Sequence, residues 1–154
     1  MDWTIREMTP ADLHHGFLEA LASLAEVGLQ PWEAEEVFRR RLGEGVRTYV
    51  AVQRQQVVGT ASLLVERKYI HRGGLVGHIE DVAVHRAFQL RGVGTALVGH
   101  ATEEARRLGC YKVVLDCFAH LVPFYERLGY RAFNHGLRID FCPPGSRSSH
   151  PRLK

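Results

Sequence analysis

The chain has 154 residues, 45% of them hydrophobic and 24% charged, the balance of one globular domain with a buried core. A formal charge of +3 is too small to argue for nucleic acid, although its sign suits an anionic small molecule. The three cysteines lack disulfide or metal-ligand spacing, and the nine histidines fall singly or as His14-His15, so no metal is expected. No apolar run approaches the ~20 residues of a membrane span, and Met1-Asp2-Trp3 lacks a signal-peptide pattern. A cytoplasmic protein with no membrane partner is the expectation.

Residues 3–7 alternate and predict a first strand. Thr9-Pro10-Ala11-Asp12 predicts a helix start, with Thr9 as cap, Pro10 in the first helical position and Asp12 three residues after the cap. Leu13, Phe17, Leu21 and Leu24 continue at helical spacing until Gly28. A second amphipathic helix is expected over residues 30–42, with Trp32, Val37 and Phe38 on its apolar side. The period then changes. Residues 47–53 and 57–66 form a predicted hairpin around Arg54-Gln55-Gln56, and residues 75–84 a third β-rich run. After Gly92-Val93-Gly94 a helix carries Leu97, Val98, Ala101, Ala105 and Leu108 on one face and ends at Gly109. Residues 112–117 predict a strand, 123–128 a short helix and 130–141 one or two closing strands. From residue 142 the chain is rich in Pro, Ser and Arg, the composition of a flexible tail. The order is that of an α/β (α+β) protein with a mostly antiparallel sheet flanked by helices, a single domain over residues 1–141 with a tail at 142–154.

Gln89-Leu90-Arg91-Gly92-Val93-Gly94-Thr95 lies between a strand and a long helix. Glycines let the backbone approach a ligand, and a helix start adds partial positive charge, so the loop suits a pyrophosphate. Its spacing is neither a dinucleotide fingerprint nor a Walker loop. A tight turn that needs glycine only for its angles is the plain alternative. Just before the loop, Glu80 and Asp81 are adjacent carboxylates in an apolar run. Neighbouring strand residues face opposite ways, so one should point inward unless a β-bulge redirects both. An inward acid is unfavourable unless it binds something.

Strand, Q-x-x-G-x-G, then helix resembles the GNAT superfamily of N-acetyltransferases. Three segments narrow the likeness: Gly77-His78-Ile79-Glu80-Asp81-Val82-Ala83-Val84, Gly109-Cys110-Tyr111-Lys112-Val113-Val114-Leu115-Asp116-Cys117, and Phe124-Tyr125-Glu126-Arg127-Leu128-Gly129-Tyr130. With Glu66-Arg67-Lys68-Tyr69-Ile70-His71 they resemble the eukaryotic glucosamine 6-phosphate N-acetyltransferases, over residues 8–141. The resemblance implies acetyl transfer from acetyl-CoA to the amine of that sugar phosphate by direct attack in a ternary complex, within UDP-N-acetylglucosamine biosynthesis. It also implies a homodimer, no metal, and a sheet splayed where CoA enters.

By that resemblance, Leu90, Arg91, Gly92, Val93, Gly94 and Thr95 bind the CoA pyrophosphate. Val82, Ala83 and Val84 offer backbone groups to acetyl-CoA, and Val82 also borders the acceptor. Lys68, Tyr69, Ile70, His71, Glu80 and Asp81 hold the sugar phosphate. Asp116 accepts a hydrogen bond from the amine, with a helix cap as its alternative role, and Tyr125 faces the departing sulfur, with a core tyrosine as the alternative. Two positions depart from the family pattern. Leu121 stands where the family has Asn, and Asp140 stands where a basic residue meets the sugar phosphate across a dimer, leaving Arg138 as the substitute on that strand face. The competing acceptors are another small amine or a protein N-terminus, and a CoA-binding domain without catalysis is a further alternative. Only Arg39-Arg40-Arg41 and the tail speak for a nucleic-acid module, and no nucleic-acid partner is expected.

Overall fold

The computed structural model of the chain describes residues 3–141, so the expected flexible tail at 142–154 lies outside the described residues. Five strands form one sheet in the order β1-β2-β3-β4-β5: Thr4–Glu7, Val46–Gln53, Gln56–Arg67, Leu75–Val84 and Cys110–Val114. The first three pairings are antiparallel and β4–β5 is parallel, joined by the crossover helix α4 (Val93–Arg107). The hairpin β2–β3 turns through Arg54 and Gln55, both left-handed at φ 46° and 67°, as a tight two-residue connection requires.

Alternation splits the strands between two cores. On one face Tyr49, Ala51, Ala61, Leu63 and Ile79 pack against Leu97, Val98, Ala101 and Ala105 of α4. That apolar stripe is the one its sequence spacing predicts, and Gly109, at φ 86°, follows the helix. On the other face Val50 and Val57 meet Phe17 and Ala20 of α1 (Phe17–Leu21) and Ala34 of α2 (Pro31–Gly43).

Four expectations are corrected. The first helix is broken: Pro10–His14 is a 3-10 turn, and α1 begins only after Gly16, at φ 93°. His15 gives its carbonyl to Val57 N–H at 2.7 Å, so the chain is tied to β3 at the break. A Cβ at Gly16 would lie 2.9 Å from the Val57 carbonyl oxygen, so this approach needs glycine. In α2, Trp32 is exposed and Ala34 is the buried residue. Strand β5 starts at Cys110 and ends at Val114, leaving residues 115–117 outside the sheet. Residues 130–141 form no strand, because none of them pairs with another described strand. No helix among the described residues is long and apolar enough to cross a membrane.

Candidate functional site

The sheet opens in its second half. Strand β5 pairs with β4 from Leu75↔Cys110 to His78↔Val114 and no further, so the rest of β4 borders a cleft. At its start β4 is disturbed on the opposite edge as well. Thr60 pairs with Ala83 and Ser62 with Glu80, so Asp81 and Val82 together oppose Ala61. Two residues against one is a β-bulge, and Asp81 takes φ 50° to make it.

The bulge settles the orientation of the two acids. Glu80 lies beside Ser62 by register, and the Asp81 carboxylate lies 3.9 Å from Arg41 Nη1, whose Nη2 donates to Ser62 Oγ at 2.6 Å. Both carboxylates therefore sit on the α2 side of the sheet, and both are exposed. Partial desolvation raises the Glu80 carboxyl above its ordinary range, and the charges of Asp81 and Asp116 add to it, His78 opposing. Asp116 thus belongs to the same electrostatic neighbourhood, two residues beyond β5. The cap of the following 3-10 turn (Ala119–Leu121) is Phe118, so Asp116 does not cap that turn.

Beyond β4 the loop rises to α4. Gln89 Nε2 donates to the Val84 carbonyl at 3.2 Å and fixes the loop to the strand end. Leu90 and Gly92 are left-handed, at φ 60° and 85°, and Gly92 caps the helix. The amides of the first turn of this 15-residue helix are thereby left without helical acceptors, at the positive end of its dipole. A Cβ on Gly94 would lie 3.6 Å from both Val84 Cγ2 and Phe124 Cζ. The end of β4, the start of α4 and the helix α5 (Val122–Glu126) therefore converge there. Arg91 stacks over Phe88 at 5.7 Å.

Tyr125 of α5 is buried, edge-on to Phe124 and Tyr130 at centroid distances of 4.9 and 5.9 Å. Tyr130 hydrogen-bonds Thr102 of α4 at 2.6 Å and so holds this corner to the helix. Burial pushes the Tyr125 phenol up, with Cys117 and Tyr130 adding, so it is protonated at neutral pH.

The remaining expected residues lie on the segment after β3 and beyond residue 130. Lys68 is paired with Glu66 at 2.6 Å, and His71 stacks on Tyr111 at 4.4 Å. Tyr69 and Ile70 are exposed beside α3 (Ile70–Gly73), a single irregular turn in which His71 and Arg72 are left-handed. Glu66 links this segment to β4: its carboxylate meets Lys68 Nζ at 2.6 Å and His78 Nε2 at 3.0 Å, and His78 stands two residues before Glu80 on the same face of the strand. Arg138 pairs with Asp140 at 2.6 Å on an exposed segment without strand pairing, and this segment passes the site, since a Cβ on Gly136 would lie 3.6 Å from Asp116 Oδ1. Arg41 is the residue the sequence reading misses. Its spacing from Ala34 and Phe38 was the available signal, because i, i+4 and i+7 share a helix face. Among the described residues there is no group of His, Cys, Asp and Glu that could hold a metal.

Residues 12–130 match the acetyltransferase (GNAT) family. The glucosamine 6-phosphate N-acetyltransferase of Trypanosoma brucei brucei is 37% identical, over 91% of this chain and 97% of its own length. Glucosamine 6-phosphate N-acetyltransferase 1 of Oryza sativa subsp. japonica is 39% identical, over 83% and 81%. The crystal structure of glucosamine-6-phosphate N-acetyltransferase from Arabidopsis thaliana superposes with a TM-score of 0.86 at 28% identity, covering 92% of this chain and all of that one.

Proposed function

The chain belongs to the acetyltransferase (GNAT) family, and on that premise we propose that it moves the acetyl group of acetyl-CoA to the amine of glucosamine 6-phosphate. One observation carries the reading. The bulge aims Glu80 and Asp81 to one side of β4, where β5 has parted from it and a helix N-terminus stands at the strand's end.

The chemistry follows from these parts. The loop of Leu90, Arg91, Gly92, Val93, Gly94 and Thr95 suits the CoA pyrophosphate, since its free amides and dipole favour an anion. Val82, Ala83 and Val84 border the cleft, and a backbone N–H released at the bulge is suited to polarise the thioester carbonyl. An amino-sugar amine resembles an α-amino group, titrating near ~7.7–8.0, so a sizeable fraction is neutral at pH 7 and needs orientation more than a strong base. Glu80, Asp81 and Asp116 orient it. The amine nitrogen attacks the carbonyl carbon in a ternary complex, the C–S bond breaks, and water takes the amine's proton. Tyr125 donates a hydrogen bond to the departing thiolate. Full proton donation is uphill for a phenol near ~10 against a thiol near ~8.5. The product, N-acetylglucosamine 6-phosphate, suits UDP-N-acetylglucosamine biosynthesis, and no metal enters the scheme.

Lys68, Tyr69, Ile70, His71 and Arg138 complete the proposed acceptor site, and a homodimer is part of the proposal. It is favoured by the exposed Phe133, Leu137, Ile139 and Phe141 and by the outer edge of β5, which no described strand covers.

The test is steady-state acetylation of glucosamine 6-phosphate, glucosamine and a peptide N-terminus by the full chain. A kcat/KM at least tenfold higher for the phosphorylated sugar supports the acceptor. A preference for the peptide would move the reading to protein N-termini.

A further inference from the structure

We infer that Arg41 of α2 is a positioning residue for the reaction: its fixed positive charge offsets Asp81, so that the acceptor's amine is bound in its neutral, nucleophilic form. The inference rests on the proposed transfer to an amine and adds what keeps that amine from being held as an ammonium ion.

The acids themselves create the demand. Glu80, Asp81 and Asp116 share one electrostatic neighbourhood, and anions close to an amine favour its protonated form. An amine that titrates near ~7.7–8.0 in water is pushed upward among three carboxylates. Once protonated, its nitrogen has no lone pair with which to attack a thioester. Glu80 feels the same crowding: partial desolvation raises its carboxyl, with Asp81 and Asp116 adding and His78 opposing. A cation that stands close to the acids and stays there relieves both.

Arg41 meets both conditions. Among the described residues, the one ion pair that any of the three acids makes is with its guanidinium, whose Nη1 lies 3.9 Å from the Asp81 carboxylate. That spacing is too long for a hydrogen bond, so the contact is one of charge. On its other side Nη2 donates to Ser62 Oγ at 2.6 Å and approaches Thr48 Oγ1 at 3.4 Å. Both hydroxyls are buried in the sheet, so the guanidinium is latched, and only a third of the side chain is exposed. A guanidinium also keeps its charge at every working pH.

The other charged groups do not replace it. Arg39 and Arg40 of α2 pair with Glu36. His78 of β4 is paired with Glu66 of β3, which also holds Lys68. Glu7 of β1 borders the same pocket as Arg41 and Asp81 and adds negative charge. Beside Asp116 in the chain stands Cys117, an exposed thiol, and Tyr125 of α5 is protonated and neutral.

The experiment is the pH profile of kcat for the full chain acetylating glucosamine 6-phosphate at saturating acetyl-CoA, because kcat reports groups that titrate in the bound complex. Arg41→Gln should move the acid limb up by roughly one pH unit, the effect of one charge at about 8 Å in a partly hydrated site. Turnover at neutral pH should then fall by up to about tenfold and recover near pH ~9. Arg41→Lys, which preserves the charge, should bring the limb back. A uniform drop at every pH would make Arg41 a structural residue, and an unmoved limb would remove it from the electrostatics of the site. A lysine that fails to restore the limb would assign the effect to shape and not to charge. Each of these results overturns the inference. Should Arg41→Gln fail to fold in a thermal melt, Ser62→Ala carries the test: it releases the guanidinium and should move the limb the same way by less, and an unmoved limb there overturns the inference as well. If the unmodified chain acetylates no amine at any pH, the proposed transfer itself is wrong, and that is read without any variant.

Discussion

Two adjacent carboxylates cannot share a face of an unbroken strand, yet Glu80 and Asp81 do, because Asp81 adopts φ 50° and gives β4 one residue more than β3. Beside Asp81 stands the latched guanidinium of Arg41, while partial desolvation, with the charges of Asp81 and Asp116 adding, keeps the Glu80 carboxyl raised. Tyr125 shows the opposite economy, a single hydroxyl on a ring that is otherwise core. Its phenol is held protonated by burial and is available as a donor. Tyr125→Phe should keep the packing against Phe124 and Tyr130, leave the acetyl-CoA KM nearly unchanged and lower kcat about tenfold or more. The lost hydrogen bond strengthens only as charge develops on sulfur. Rapid-mixing or steady-state kinetics with an unchanged kcat would take Tyr125 out of the chemistry.

At the scale of elements, the start of α4 caps a helix and is proposed to hold CoA. Gly92 reaches φ 85° to cap the helix, and a Cβ there would meet nothing within 4 Å, so shape of the backbone and not crowding inside the protein demands glycine. Gly92→Ala should cost about 1–2 kcal/mol in stability through that angle. On the proposed loop role, it should also weaken acetyl-CoA binding roughly tenfold by calorimetry, because the added methyl group would crowd the phosphate. Undiminished affinity would refute the loop's role. The turn after β1 is held differently. Asp12, buried, accepts from Nη1 and Nη2 of Arg6 at 2.7 Å each and from Thr9 N–H at 2.7 Å. Desolvation pushes its carboxyl up, but the bonds from Arg6 and Thr9 outweigh it and hold the value below 3.8. A depressed folded value means the stabilisation is complete above the unfolded value of 3.8 and is lost as pH falls through the folded one. Asp12→Asn should therefore lower stability at neutral pH by about 2 kcal/mol, given that Arg6 is partly exposed. In thermal melts the difference from the unmodified chain should persist at pH 7 and shrink as the pH falls below 3.8.

At the scale of the whole molecule, residues 130–141 leave Phe133, Leu137, Ile139 and Phe141 in solvent beside a sheet whose β5 edge no described strand covers. An apolar segment and an open edge of the same chain suit the proposed homodimer. Sedimentation equilibrium should give the mass of two 17.4 kDa chains. Leu137→Asp combined with Ile139→Asp should give one. A single-chain mass for the unmodified protein at micromolar concentration would end the dimer proposal.

The sequence by itself determined the order of elements, the two-faced sheet, the crossover helix and the glycine loop, because each is written in local periodicity and turn chemistry. The apolar stripe of Leu97, Val98, Ala101 and Ala105 and the stop at Gly109 required no tertiary information. Periodicity also offered a continuous first helix and closing strands, and there it failed. Gly16 breaks the helix because β3 claims the carbonyl of His15, and residues 130–141 lack a strand to pair with. Both outcomes depend on partners distant in the chain, which a local pattern does not contain. The same holds at the site. Glu80, Asp81, Asp116 and Tyr125 were legible as residue types in a run that resembles a known family. That the acids share a face and that Arg41 stands near them were decided only when a bulge formed and α2 packed across the sheet. A bulge is a relation between two strands, and an ion pair across 40 residues is a relation between a helix and a strand.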